Sequence, residues 1–356
     1  MIGSALSTFI SQIAHVKKLV ALSQARVQAL KELQDADDAI KASLEKSRLW
    51  ARDFSGFPFA RSAEAAMLIV LLYGSLERYI EDLAEEYLNA YKDSLNDFSD
   101  FPKRIQETHF DVTLEYLKLS ATSYYRGNAT KSDLARSIYT CHDEKQVGHF
   151  ITEPFLRHTS NFRISAIDDF FNRIGAPSVL RSSAARREAS GFIQETGFQV
   201  SEGRHERLWS RLDELVEDRN RIAHGDLSNI ASSTTISDYC SLLSALAICL
   251  NAQIRDVYCS HFLNSHGRKI GNPVAIFSNG IFGIRTAGVP IEVDSMLCCE
   301  NSEGFTHSLK VLEIHVDGKP AERTPNGEDV QVGLKVDGIC RRNHTISLIH
   351  SSPIVA

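Results

Sequence analysis

The chain has 356 residues, which on length alone suggests two domains. Its hydrophobic share of 43% and charged share of 24% match an ordinary soluble globular protein, with ample material for a buried core. A formal net charge of −6 excludes a global basic field, so any RNA contact must rest on a local patch.

The cysteine count is odd, at seven, and residues 1–19 lack a basic start, apolar core and small-residue cleavage site. Reduced thiols and a cytoplasmic location are expected. The apolar runs fall well short of the roughly 18 residues a membrane span needs, so no membrane association is expected. Cys259, His261 and His266 lie close in sequence, as do Cys340 and His344, but there is no Cys-x-x-Cys spacing. Tetrahedral zinc needs four convergent ligands, so no metal is expected. No nucleophile elbow or dinucleotide fingerprint is present, and no cofactor is expected.

Residues 1–53 read as a helical flank. Ile10, Ile13, Ala14, Val16, Leu19 and Val20 recur at helical spacing, and good helix formers with mixed charge follow. The flank either packs on the main domain or forms a coiled-coil arm. Gly56-Phe57-Pro58 breaks it. A helix over residues 60–95 carries Glu77, either a surface carboxylate paired with Arg78 or Arg61, or an acid orienting the site. Residues 104–119 read as helix. Residues 124–131 form a polar loop in which Tyr125 and Arg126 offer a stacking ring beside a cation for an unpaired base. A short helix over 132–138 has Ser132 as its candidate N-cap. Residues 159–175 form a helix with a Gly175-Ala176-Pro177 stop. Residues 178–205 read as a polar insertion whose Arg181, Arg186 and Arg187 make the best local basic patch.

The densest chemistry is Arg219-Asn220-Arg221-Ile222-Ala223-His224-Gly225-Asp226. Leu208, Leu212, Leu215 and Val216 form one apolar stripe just upstream, and Gly225 is a natural C-terminal stop. At about 100° per residue Asn220 and His224 share a face, with Arg221 close to it. Arg219 lies about 140° round from His224 by the same arithmetic. One straight helix therefore does not aim both at one atom. A kinked helix end or a second copy would be needed.

This Arg-x-x-x-x-His string resembles the catalytic motif of the HEPN family, many of whose members are metal-independent ribonucleases. Leu71-Leu72-Tyr73-Gly74-Ser75-Leu76-Glu77-Arg78-Tyr79-Ile80 resembles the early helix of the large bacterial HEPN nucleases, which carries a Glu in that setting. Asn161-Phe162-Arg163-Ile164-Ser165-Ala166-Ile167-Asp168-Asp169-Phe170-Phe171 resembles their middle helix. The likeness covers roughly residues 60–262. It implies catalytic roles for Arg219, His224, Asn220 and Glu77. RNA contacts are assigned to Arg221, Arg186, Arg187, Tyr125 and Arg126. Some HEPN toxins carry Tyr two residues after the His, where an antitoxin transferase modifies it; Asp226 stands there instead.

An apolar helix over residues 236–258 follows, central to the bundle or part of a dimer face. From residue 263 the helical period stops. After a linker over 263–272, β-type runs appear at 274–277, 281–285, 291–296, 306–316, 330–336 and 345–349, as in a small barrel. Residues 311–339 resemble the second-domain β-barrel of translation GTPases, with the segment at Cys340-Arg341-Arg342-Asn343-His344 abbreviated. That likeness implies a module able to direct the chain toward tRNA or the translation machinery, and the alternative is a barrel used purely for protein contacts.

The expected fold class is multidomain α + β: a helical flank (1–53), an all-α HEPN-type bundle (54–262), a linker (263–272) and a β-barrel (273–356). The expected function is RNA cleavage by 2′-hydroxyl attack. Histidine carries protons near neutral pH, and arginine's fork binds phosphate oxygens. One motif supplies one strong acid/base group, so a homodimer with a composite site is expected. The setting implied is a toxin–antitoxin or anti-phage system with a restraining partner protein. The alternatives are an inactive HEPN scaffold or sensor that binds RNA or a partner protein, and an antitoxin subunit.

Overall fold

A computed structural model describes residues 2–35, 58–120, 122, 127–196, 208–228, 230–277, 280–302 and 306–350. Tyr125 and Arg126, and the helical reading of residues 36–53, lie outside the described residues. In chain order the helices are α1 (Ser4–Asp35), α2 (Pro58–Ser94), α3 (Lys103–Ser120), α4 (Lys131–His142), α5 (Glu153–Leu156), α6 (Ile164–Arg173), α7 (Val179–Ala184), α8 (Ser190–Thr196), α9 (Arg211–Ala223) and α10 (Ser233–Ser265). Eight strands follow: β1 (Arg268–Gly271), β2 (Ala275–Ile276), β3 (Ile281–Arg285), β4 (Met296–Glu300), β5 (Thr306–Val316), β6 (Lys319–Ala321), β7 (Gln331–Val336) and β8 (Thr345–His350). The chain is thus a helical region followed by a small antiparallel β domain. It passes back and forth between two compact units, Met1–Glu86 with Thr152–Asn251, and Tyr87–Ile151 with Ala252–Ala356.

In the first unit, α1 buries Phe9, Ile13, Val16 and Val20, a stripe at spacings of three and four. Phe9 stacks on Tyr79 at 4.7 Å between ring centroids. The Glu86 carboxylate accepts the Gly3 and Ala5 N–H groups and the Ser4 hydroxyl, satisfying donors that a helix start leaves open. α9 buries Leu212, Leu215 and Val216, with Leu208 just before it, as the stripe predicted. Trp209 is fully buried, and its Nε1–H donates to the Leu180 carbonyl at 3.1 Å. Over the described part of that stretch, residues 178–196, that bond and the burial around it correct the reading of a polar insertion. Val179, Leu180, Ala184 and Ala189 are all buried, spaced along α7 and the turn after it.

α6 begins at Ile164, five residues later than predicted. The Phe162 N–H donates to the Tyr73 hydroxyl at 2.9 Å and the Ile164 N–H to the Asp213 carboxylate at 3.2 Å. Tertiary partners take the donors that an earlier helix start would have used. Its end is as read: Gly175 has φ 84° and the Ala176 N–H returns to the Phe171 carbonyl at 3.0 Å.

In the second unit, α4 is capped by Thr130, not Ser132. Thr130 and Asp133 exchange side-chain-to-backbone bonds in a capping box. The sheet runs β1-β8-β4-β5-β7-β3-β2, with β6 on β5. β5 pairs β4 over Thr306–Lys310 and β7 over Val311–Val316, so one strand carries the sheet round a bend. Phe282, Ile284, Leu297, Val311, Leu334 and Ile346 share one core inside that curl. β1 lies within the stretch read as a linker and contributes Ile270 to this core.

Among the described residues, Ser233–Leu263 within α10 is long and apolar enough to cross a membrane by length and composition. The sequence reading missed this because its small and polar residues interrupt the apolar run. Leu242, Leu243, Leu246, Leu250 and Ile254 are all buried in the protein, as a central core helix requires. The Tyr79 hydroxyl also donates to its Ala247 carbonyl at 2.7 Å.

His158 fastens the loop before α6 to α2. Its Nδ1 lies 3.0 Å from the Ser160 carbonyl and its Nε2 3.0 Å from the Glu81 carboxylate. Both partners are acceptors, so the ring satisfies both only as the imidazolium. The bond to Glu81 raises the His158 pKa against a smaller desolvation effect, with Glu77 adding in the same direction. A raised folded-state pKa contributes stability present below the unfolded value of about 6.5 and lost as pH rises through the folded value. The wild-type urea midpoint should therefore exceed that of Glu81→Gln at pH 6, and the gap should narrow as pH rises above the ordinary histidine value of about 6.5 and close beyond the raised folded-state value. Parallel pH curves would remove this role. Separately, Trp209→Ala should cost about 3–5 kcal/mol of unfolding free energy, through its cavity and the orphaned Leu180 carbonyl.

Candidate active site

α9 carries the charged string to an exposed end. His224 is its C-cap residue, and its N–H is shared between the Asn220 and Arg221 carbonyls at 3.1 Å each. Gly225 then turns left-handed at φ 82°, a conformation that costs a side-chain-bearing residue. The Asp226 N–H reaches back to the Arg221 carbonyl at 3.0 Å and the Gly225 N–H to Ile222 at 2.9 Å. This double return is a Schellman end. It halts the helix with the His224 side chain in solvent instead of in the apolar stripe.

Asn220 is the hinge of the site. Its side-chain oxygen accepts from Asn161 Nδ2 at 2.9 Å and from Arg219 Nη1 at 3.2 Å. Arg219 is half-buried, with its guanidinium carbon 5.2 Å from the centroid of the Tyr73 ring. The Tyr73 hydroxyl accepts the Phe162 N–H and is hydrogen-bonded to Glu77. Burial first, and the Glu77 carboxylate second, hold that phenol well above its ordinary pKa. It therefore stays a neutral donor to Glu77. Glu77 thus takes the phenol of Tyr73, one helical turn earlier, while Arg78 pairs with Asp82 at 2.8 Å.

His224 and Asn220 line an open depression of about 710 Å³ together with Arg221, Asp226, Arg163 and Asp218. Glu214, Glu217 and Tyr239 complete the lining, so four carboxylates face two guanidiniums. Arg221 is ion-paired with Asp218, whose other oxygen accepts the Tyr239 hydroxyl at 2.9 Å. Arg163 is 3.3 Å from Glu217. Arg219 is absent from this lining. The chain therefore presents an imidazole and an amide on one flank of the helix end, and a guanidinium backed by phenol and carboxylate on another. Asn220 bridges them.

The structure brings Arg219, Asn220 and Glu77 into one linked group through Tyr73, and places His224 and Arg221 with Asn220 around the depression. It does not bring Arg186 or Arg187 to that lining. Arg186 is turned onto Glu188 at 3.1 Å, which spends its charge locally. The sequence reading missed Tyr73, Asn161, Asp218 and Tyr239 as parts of the site. Tyr73 stands four residues before Glu77 and Asp218 three before Arg221, spacings that put each pair on one helix face. Asn161 had no local signal, being 59 residues from its partner.

Residues 24–256 match the family model described as RiboL-PSP-HEPN. No curated protein and no solved structure matches the chain. The matched span takes in α2, α6 and α9, and so the whole linked group from Glu77 to His224. It is well over half of the chain, and the chain belongs to the RiboL-PSP-HEPN family.

Proposed function

We propose that this protein is a metal-independent endoribonuclease whose active site forms between two copies of the helix α9 end. Family membership supports a ribonuclease or other nucleotide-related activity in the coarser sense. The observation that carries the finer reading is the exposed His224 beside Asn220, with Arg219 held on the far flank by Tyr73.

RNA supplies its own nucleophile, the ribose 2′-hydroxyl. Cleavage needs one group to take its proton, one to protonate the leaving 5′-oxygen, and cations facing the phosphorane. One His224 serves as base and the second copy's as acid. Arg219 binds a phosphate oxygen pair, and Asn220 positions either phosphate or imidazole. Asn161 holds the Asn220 amide in one orientation, and Glu77 fixes the Tyr73 ring on which Arg219 rests. The Tyr73 ring holds the guanidinium without using its N–H donors.

The setting we propose is a toxin–antitoxin or anti-phage system, with a partner protein that covers the α9 end. The substrate proposed is tRNA, on the likeness of residues 311–339 to a translation-factor barrel. A second reading, a non-catalytic scaffold that binds RNA or protein, draws on the four carboxylates of the depression, which disfavour a phosphate at a single protomer.

The test is incubation of purified protein with total RNA in EDTA. Products ending in 2′,3′-cyclic phosphate are expected, with His224→Ala and Arg219→Ala each slowing cleavage by about 100-fold or more. Asn161→Ala should slow it roughly 10- to 100-fold by loosening Asn220, with the melting temperature little changed. Specific activity should fall on dilution in step with dimer dissociation. Equal degradation by wild type and both motif variants would reduce the signal to a contaminant. Intact RNA that is still bound would favour the scaffold.

A further inference from the structure

The β domain contains a donor cluster that the sequence spacing concealed. Cys299 lies in β4, and Cys340 and His344 flank the turn between β7 and β8. One ligand atom from each falls within 4.8 Å of the others. All three are nearly closed to solvent, at 0%, 5% and 7% exposure. The two sulfurs are 3.8 Å apart. Two metal–sulfur bonds of about 2.3 Å at a tetrahedral angle give a sulfur–sulfur edge of about 3.8 Å. A disulfide would need about 2.05 Å.

His307 stands beside the cluster. In the β4–β5 ladder it is the cross-strand partner of Cys299, so both side chains leave the same face of the sheet. Its ring centroid is 5.2 Å from that of His344. Two imidazoles on one tetrahedral ion, with Zn–N of about 2.0–2.1 Å, set their centroids about 5 Å apart. The His307 Nε2 lies 3.0 Å from the Ile339 carbonyl. The turn carrying the other donors is also tied down. The His344 N–H returns to the Arg341 carbonyl at 3.0 Å, and its carbonyl accepts from Asn272 Nδ2 at 2.9 Å.

We infer that Cys299, Cys340, His344 and His307 form a structural zinc site, with His307 closing the fourth position by a side-chain rotation. Two thiolates neutralise the dication, which is what allows such a charge inside an apolar core. The ion would clamp the β7–β8 turn to the β4–β5 ladder. The site is independent of the RNA chemistry at α9, and its test does not read cleavage.

The experiment is metal analysis of the full chain purified under reducing conditions without added metal. About one zinc per chain is expected, released when a mercurial blocks the thiols. Cys340→Ser and His344→Ala should each hold less than about a tenth of that, and Cys141→Ser, a buried thiol elsewhere in the same unit, should hold a full equivalent. If the ligand variants fail to fold, the wild-type protein still decides. Chelated and then titrated with cobalt, it should develop thiolate charge-transfer and tetrahedral d–d bands that saturate at one equivalent. Wild-type protein that carries no zinc and gives no such bands overturns the site. So does zinc retained in full by Cys340→Ser, or a wild-type chain whose Cys299 and Cys340 simply oxidise to a disulfide and take up no metal.

Discussion

The site depends on how one helix is stopped. If α9 ran one turn further, His224 would continue the helix surface. The left-handed Gly225 instead turns the chain back on the Arg221 and Ile222 carbonyls, and the imidazole is left standing at a rim. The apolar stripe fixes the rotation of the helix about its own axis, because Leu212, Leu215 and Val216 have nowhere else to go. Stop and rotation together decide what each polar residue meets. Arg219 meets Tyr73, Asn220 meets Asn161, Arg221 meets Asp218 and His224 meets water.

Those partners differ in how firmly they hold. The Arg221–Asp218 pair is solvent-exposed on the arginine side, and water and salt screen such pairs strongly. A phosphate accepting two guanidinium bonds competes easily with that. Arg186 is more shielded, at 15% side-chain exposure, and its carboxylate partner is two residues away, so it surrenders its charge less readily. Arg219 differs again. A ring face beneath a guanidinium attracts the cation without using its N–H donors. It keeps most of its hydrogen-bonding capacity while losing freedom of orientation, which is the state a phosphate-binding arginine needs.

Much of this was legible in the sequence and some of it could not be. Period-based features held, because a stripe such as Leu208–Leu212–Leu215–Val216 is a local property that the core then uses. The α6 stop at Gly175 and the run at 306–316 were legible for the same reason. What failed was decided by distant partners. The start of α6 moved because Tyr73 and Asp213 claim its N–H groups. Arg186 of the expected basic patch is answered by Glu188, and Val179, Leu180, Ala184 and Ala189 in the same stretch proved buried. Cys299 and Cys340 are 41 residues apart, and only the β4–β8 pairing makes them neighbours.

The 140° between Arg219 and His224 on one helix is the argument for a second chain. A helix end is stiff over one turn, since each residue is held by ladder bonds and here also by the Schellman returns. Arg219 cannot swing through that angle without breaking its contact with Asn220 and leaving the Tyr73 platform. In the proposed dimer a partner copy would supply the missing group at no such cost. On this reading assembly and activity are one event. A protein that covers the α9 end would suppress cleavage by denying the second copy access, without touching the scissile phosphate.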